Sequence, residues 1–125
     1  MRAAHGFTLV ELLVVLTLIA ILASLVAPVV SSSIVRAKEA TLKENLFILR
    51  KAIDDYYADQ GDYPTSLQQL VEKRYIRKPP VDPLTDRSDS WVEVHAEDDG
   101  KQGGVIDVRS GSEEKSGDGV AYRDW

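Results

Sequence analysis

The 125-residue chain contains no cysteine, one methionine, two histidines and two tryptophans. Without cysteine there is no disulfide scaffold, no zinc ribbon and no thiol nucleophile. His5 and His95 stand far apart in the sequence, which argues against a histidine-built metal or catalytic centre. Basic surplus is also missing. Against 20 aspartates and glutamates there are 15 lysines and arginines, a net charge of −5, so no cationic surface is in excess to neutralise phosphates. That argues against a nucleic-acid binder. No Ser–His–Asp set, phosphate-cradling glycine loop or paired-carboxylate constellation is present. A single small domain also leaves little room for a large cleft, so an enzyme has the least support. The most informative scarcity is local: in residues 1–35 the only charged side chains are Arg2 and Glu11.

What fills that stretch is apolar. Residues 7–30 hold one charge, Glu11, and residues 12–30 are 19 uncharged residues, LLVVLTLIAILASLVAPVV. A bilayer core needs about 20 apolar residues as helix, so the segment is long enough to span. Three readings compete. A cleaved secretory signal has an apolar core of about 7–15 residues; here the run is longer, and the small residues that could mark cleavage, Ala20, Ala23 and Ala27, lie inside it. A plain single-span anchor fits the length but leaves Glu11 unexplained, since a carboxylate in hydrocarbon costs a few kcal/mol. The third reading gives the carboxylate a cationic partner. If the chain is cut after Gly6, Phe7 acquires an α-amino group four residues before Glu11, one helical turn away. The pair could form within one chain or between staggered copies, where it would also set the register of an assembly.

The run GFTLVELLVVLTLIAILASLVAP resembles the N-terminal signature of type IV pilins and type II secretion pseudopilins: a short basic leader ending in glycine, then Phe-Thr-Leu-x-Glu opening a long apolar helix. The resemblance implies a leader of residues 1–6, cleavage between Gly6 and Phe7 by a prepilin peptidase, and N-methylation of Phe7. It also implies pairing of Glu11 with the amine of a neighbouring subunit during assembly. Pro28 matches a proline common in the family's membrane segment, where the missing N–H loosens the helix. The implied protein is a structural subunit that forms a homopolymer through its N-terminal helix. It would meet an inner-membrane assembly platform and minor pseudopilins, with its C-terminal domain in the periplasm. Arg36, Lys38 and Lys43 follow the span, and the positive-inside rule alone would place that domain in the cytoplasm. Recognition of the leader has to override it.

Beyond the span the pattern changes. Leu42, Leu46, Leu49, Ile53 and Tyr56 recur at spacings of four, three, four and three, an amphipathic stripe that predicts helix through Gln60, with Gly61 as its stop. Lys43, Glu44, Lys51, Asp54 and Asp55 lie on the other face, a solvated surface with no net sign. Ser31, Ser32 and Ser33 suggest flexibility at the membrane boundary. Thr65-Ser66-Leu67-Gln68 has capping-box spacing with Thr65 as N-cap, predicting a short helix over 66–74. Pro79, Pro80 and Pro83 mark residues 77–87 as loop. WVEVH over 91–95 and VIDV over 105–108 alternate and predict a hairpin, turned at 97–104. Val120, Ala121 and Tyr122 predict a short edge strand, with Trp125 as a core plug. The fold class expected is α+β and pilin-like: a long helix on a small antiparallel sheet. The domains expected are leader 1–6, membrane and assembly helix 7–30, and periplasmic domain 31–125.

The soluble part resembles G-type major pseudopilins over Tyr63-Pro64-Thr65, Leu67, Leu70, Tyr75-Ile76 and Pro80-Val81-Asp82-Pro83. It departs at Leu84-Thr85-Asp86, where the family continues Trp-Gly. The absence of cysteine also fits pseudopilins better than pilins that close this region with a disulfide. The resemblance implies a calcium-binding C-terminal loop, with Asp107, Glu113, Glu114 and Asp118 as ligands. Calcium takes six to eight oxygens. The family's paired aspartates near the end are missing and Lys115 brings a cation into the loop, so a solvated acidic loop is the better reading, and no cofactor is required. Asp98-Asp99-Gly100 reads as a turn, and His95 as a structural residue. The rival functions are a surface type IV pilin, a minor pseudopilin and, in another class, a single-span anchored binding module.

Overall fold

The structure is a computed structural model that describes residues 6–98 and 101–125. It divides into two compact units, one ending at Ala37 and one running from Lys38 to Trp125. Helix α1, Leu9–Gln60, contributes to both.

In the first unit every described residue is exposed. Leucine, valine, isoleucine and alanine surround the helix on all sides, the pattern of a segment whose solvent is itself apolar. The helix begins two residues later than its apolar run. Thr8 is the residue that ends the extended chain: its Oγ1 accepts the Glu11 N–H at 3.1 Å and its carbonyl accepts the Leu12 N–H. Pro28 lies inside α1 without ending it. Ser31, Ser32 and Ser33 are helical too. Their hydroxyls donate to the carbonyls of Ala27, Val29 and Val29, returning polar hydrogens to the preceding turn.

The second unit is built on the other half of α1. Leu42, Leu46, Leu49, Ile53 and Tyr56, the predicted stripe, are all buried, with Ala52 beside them. Gly61, at φ +79°, ends the helix in the left-handed conformation that glycine adopts without strain. Helix α2, Leu67–Glu72, is shorter than predicted and its N-cap is Ser66, not Thr65. Ser66 Oγ accepts the Gln69 N–H, while the Gln69 side chain reaches back to the Thr65 N–H at 2.7 Å. The Glu93 carboxylate accepts the Leu67 N–H, so a neighbouring strand also satisfies the helix start.

Strands β1, Val92–Asp98, and β2, Lys101–Arg109, form a two-stranded antiparallel sheet. Both extend beyond the predicted runs, and Trp91 precedes β1 rather than opening it. Part of the predicted turn, Asp99 and Gly100, lies outside the described residues, as do Met1–His5 of the predicted leader. The pairing Val94↔Asp107 followed by His95↔Val105 leaves Ile106 as the extra residue of a bulge. Strict alternation would put Val105 and Val108 on opposite faces; the bulge restores both to the core, where each is fully buried. Gly104 lies against Tyr63, where an added Cβ would stand 2.6 Å from the Tyr63 Cβ, and the next residue donates its N–H to the Pro64 carbonyl at 2.7 Å. This close approach ties the chain after α1 to β2.

Around these elements the core closes with Leu67, Leu70, Ile76, Trp91 and Tyr122. The predicted third strand does not form. Ala121 makes one isolated bridge with Lys115, Val120 is exposed, and Tyr122–Asp124 is a 3-10 turn. The core plug is therefore Tyr122. Trp125, half-buried, covers its ring edge-on at 5.0 Å.

Candidate functional site

Two regions carry the residues singled out above. In the first, Gly6, Phe7 and Glu11 are exposed, and Phe7 stands before the Thr8 cap with 84% of its surface free. From Leu9 to Val35 the large apolar side chains are between 43% and 86% exposed. One helix among the described residues is long and apolar enough to cross a membrane, and it is this one. Monomeric soluble proteins rarely expose so continuous an apolar surface. Its geometry suits lipid or the helices of other chains, and Glu11 is the single ionisable group within it.

The second region is the chain that follows β2. Asp107 faces α1, where Arg50 Nε donates to its Oδ1 at 2.8 Å; the same oxygen accepts the Val108 N–H at 2.8 Å. Ser110, Ser112 and Ser116 are buried. Ser110 donates to Asp82 Oδ2 at 2.6 Å, and Ser112 Oγ accepts the Glu114 N–H. Asp82 is fully buried and its other oxygen accepts the Leu84 N–H, so the carboxylate joins the proline loop to the tail. Tyr122 donates its hydroxyl to Glu39 Oε1 at 2.8 Å. Burial first, then that hydrogen bond, pushes the phenol above its ordinary value.

A family model, the prokaryotic N-terminal methylation motif, matches residues 1–27. The chain is 36% identical over 98 residues to the type II secretion system core protein G of Pseudomonas aeruginosa, a match covering 66% of this chain and 69% of that protein. The core protein G of Klebsiella pneumoniae is 35% identical over 99 residues, covering 66% and 71%, and that of Vibrio cholerae 34% over 98 residues, covering 66% and 67%. No solved structure matches the chain. The chain belongs to the type II secretion system core protein G family. It is a structural subunit derived from a methylated prepilin, not an enzyme.

For this pseudopilin the tail residues named above as calcium ligands are not brought together. Asp107 is engaged by Arg50, while Glu113, Glu114 and Asp118 are exposed on the loop beyond it. Among the described residues no three carboxylates or imidazoles converge as a metal site would require. As placed, these four carboxylates alone do not make up the six to eight oxygens the ion takes. Sequence reasoning missed Arg50, which flanks the buried stripe one turn after Leu46, and the buried tie made by Asp82, which it read only as loop within the run Pro80-Val81-Asp82-Pro83. The signal for Arg50 was its position beside Leu49, where a long cation can lie along an apolar face and reach past it.

Proposed function

We propose that the chain is the major subunit of a type II secretion pseudopilus. It is cleaved after Gly6, N-methylated at Phe7 and polymerised through its N-terminal helix to drive protein export. The observation that carries this reading is the apolar first half of α1, exposed on every side with Glu11 at its mouth, next to a processing motif. In the membrane the helix exchanges lipid contacts for contacts with other copies as subunits leave the bilayer. At that step Glu11 and the Phe7 amine of a neighbour would otherwise both be buried unpaired, at a cost of a few kcal/mol each; pairing neutralises them. Pro28 leaves the Ser24 carbonyl without its usual donor and gives the helix a softened turn within the packed region. The partners are the prepilin peptidase, the inner-membrane assembly platform and minor pseudopilins. The protein sits as a single-pass inner-membrane subunit with residues 31–125 in the periplasm, and its mature form stands in the periplasmic fibre.

The test starts from intact mass and N-terminal sequence of the protein from its native membrane, which should begin at methylated Phe7. Glu11→Ala is expected to insert and to be cleaved like the wild type while fibres fall at least tenfold. Normal fibre assembly by that variant would remove the pairing mechanism. A mature chain still starting at Met1, in cells with an active peptidase, would turn the reading toward an anchored module.

A further inference from the structure

The Arg50 guanidinium gathers three oxygens from the end of the chain: Asp107 Oδ1 at 2.8 Å, the Val108 carbonyl at 3.2 Å and the main-chain oxygen of Trp125 at 2.6 Å. One is a carboxylate and two are main-chain oxygens, the donor classes with which a protein loop wraps a hard cation. They come from two places, strand β2 and the residue after the 3-10 turn, so their convergence fixes the path of the tail. Lys43 stands 5.0 Å over the Trp125 ring from the same helix face, a second cation holding the same residue. The loop between makes hydrogen bonds that need no ion. Ser110 bonds Asp82, Ser110 Oγ also accepts the Ser112 N–H, and the Ser116 N–H is taken by the Val120 carbonyl. Among the described residues no buried side-chain nitrogen or oxygen is left without a partner.

We propose that Arg50 is the cation around which this pseudopilin organises its C-terminal segment, and that the segment holds its native path without a divalent ion. The planar fork suits the task. It reaches a carboxylate through Nε and two main-chain oxygens through Nη2. A tethered guanidinium also carries no binding cost set by ion concentration, so the tail is organised equally in calcium-poor and calcium-rich surroundings. The proposal concerns the tail alone, and stands or falls apart from processing and fibre assembly.

The full chain, purified in detergent, is heated in millimolar calcium and in excess EGTA while hydrogen exchange is followed across residues 107–125. The wild type is expected to melt at the same temperature in both, within about 1 °C, with one exchange pattern. Arg50→Gln lowers the midpoint by about 4–8 °C and speeds tail exchange at least tenfold, equally with and without calcium. Arg50→Lys, which keeps the charge but not the fork, falls between them. Arg50→Gln with Asp107→Asn recovers part of the loss, because the carboxylate no longer stands unpaired beside α1. The idea is overturned if calcium raises the wild-type midpoint by several degrees and slows tail exchange. It is equally overturned if Arg50→Gln matches the wild type in both readouts. Should Arg50→Gln fail to fold, the wild-type comparison alone decides.

Discussion

Helix α1 obeys two rules along one continuous backbone. Up to Ala37 its apolar residues point in every direction and none is buried; from Lys38 onward the stripe from Leu42 to Tyr56 is buried throughout, while Phe47, Ile48 and Tyr57 on the remaining surface stay exposed. Intrinsic helix propensity does not explain the difference, because the first half mixes leucine and alanine, strong helix formers, with about as many valines and isoleucines, middling ones. The difference lies in what each half has to satisfy. A segment in lipid must close its own backbone hydrogen bonds, which a helix does whatever its side chains; just beyond the apolar run, the serines at 31–33 bond to carbonyls of the preceding turn. A segment in water must hide one face, and so carries a period.

The strongest way to break this comparison is to shorten one leucine in each half. Leu49 is fully buried, so Leu49→Ala should cost about 2–5 kcal/mol of unfolding free energy, the usual penalty for a cavity under a packed helix. Leu16 is 55% exposed, so Leu16→Ala should leave the thermal midpoint of the unit from Lys38 to Trp125 within about 1 °C in detergent. Equal losses from both substitutions would mean that the first half contributes to the fold of the second.

The two halves also differed in how far their residues could be read in advance. The apolar run and the Leu42–Tyr56 stripe were legible because periodicity reports burial directly. The sheet was legible as a hairpin but not in its register, since VIDV alternates in sequence and only the bulge at Ile106 turns both valines inward. The third strand was over-read. Val120, Ala121 and Tyr122 have strand-like residues, but they need only one bridge, to Lys115, before Tyr122 enters the core. Of the functional residues, the processing motif could be found because local chemistry fixes its spacing. Arg50 and Asp107 are 57 positions apart, and Asp82 and Ser110 are 28 apart. Such pairs are created by the fold and leave no periodic trace.

The N-cap of α2 sharpens the same point at smaller scale. Thr65-x-x-Gln68 and Ser66-x-x-Gln69 both satisfy capping-box spacing, so sequence cannot choose between them. The structure chooses Ser66. Ser66→Ala should therefore cost about 1 kcal/mol, measured by denaturant unfolding. Thr65→Ala should cost less, because its hydroxyl meets only the Gln69 side chain, at 3.1 Å. The reverse order would return the cap to Thr65.

The smallest expected effect concerns Tyr122, whose ring is buried and whose hydroxyl donates to Glu39. At neutral pH Tyr122→Phe should cost about 0.5–1 kcal/mol, the net value of one hydrogen bond whose acceptor remains reachable by water. Alkali separates this bond from simple packing. Burial comes first among the causes that raise the phenol, followed by its bond to Glu39, the charge of Glu39 and the charge of Glu114. The folded state thus holds the proton more tightly than the unfolded chain, whose tyrosine titrates near pH 10. The resulting stability is fully present below that pH. It is lost as pH rises past it, because the unfolded chain releases a proton that the native state keeps. The phenylalanine variant has no proton to lose at this position. Its stability should fall less steeply above pH 10, and the gap to wild type should narrow there. Parallel decline of the two proteins across that window would show that the hydroxyl of Tyr122 is not what ties the tail to α1.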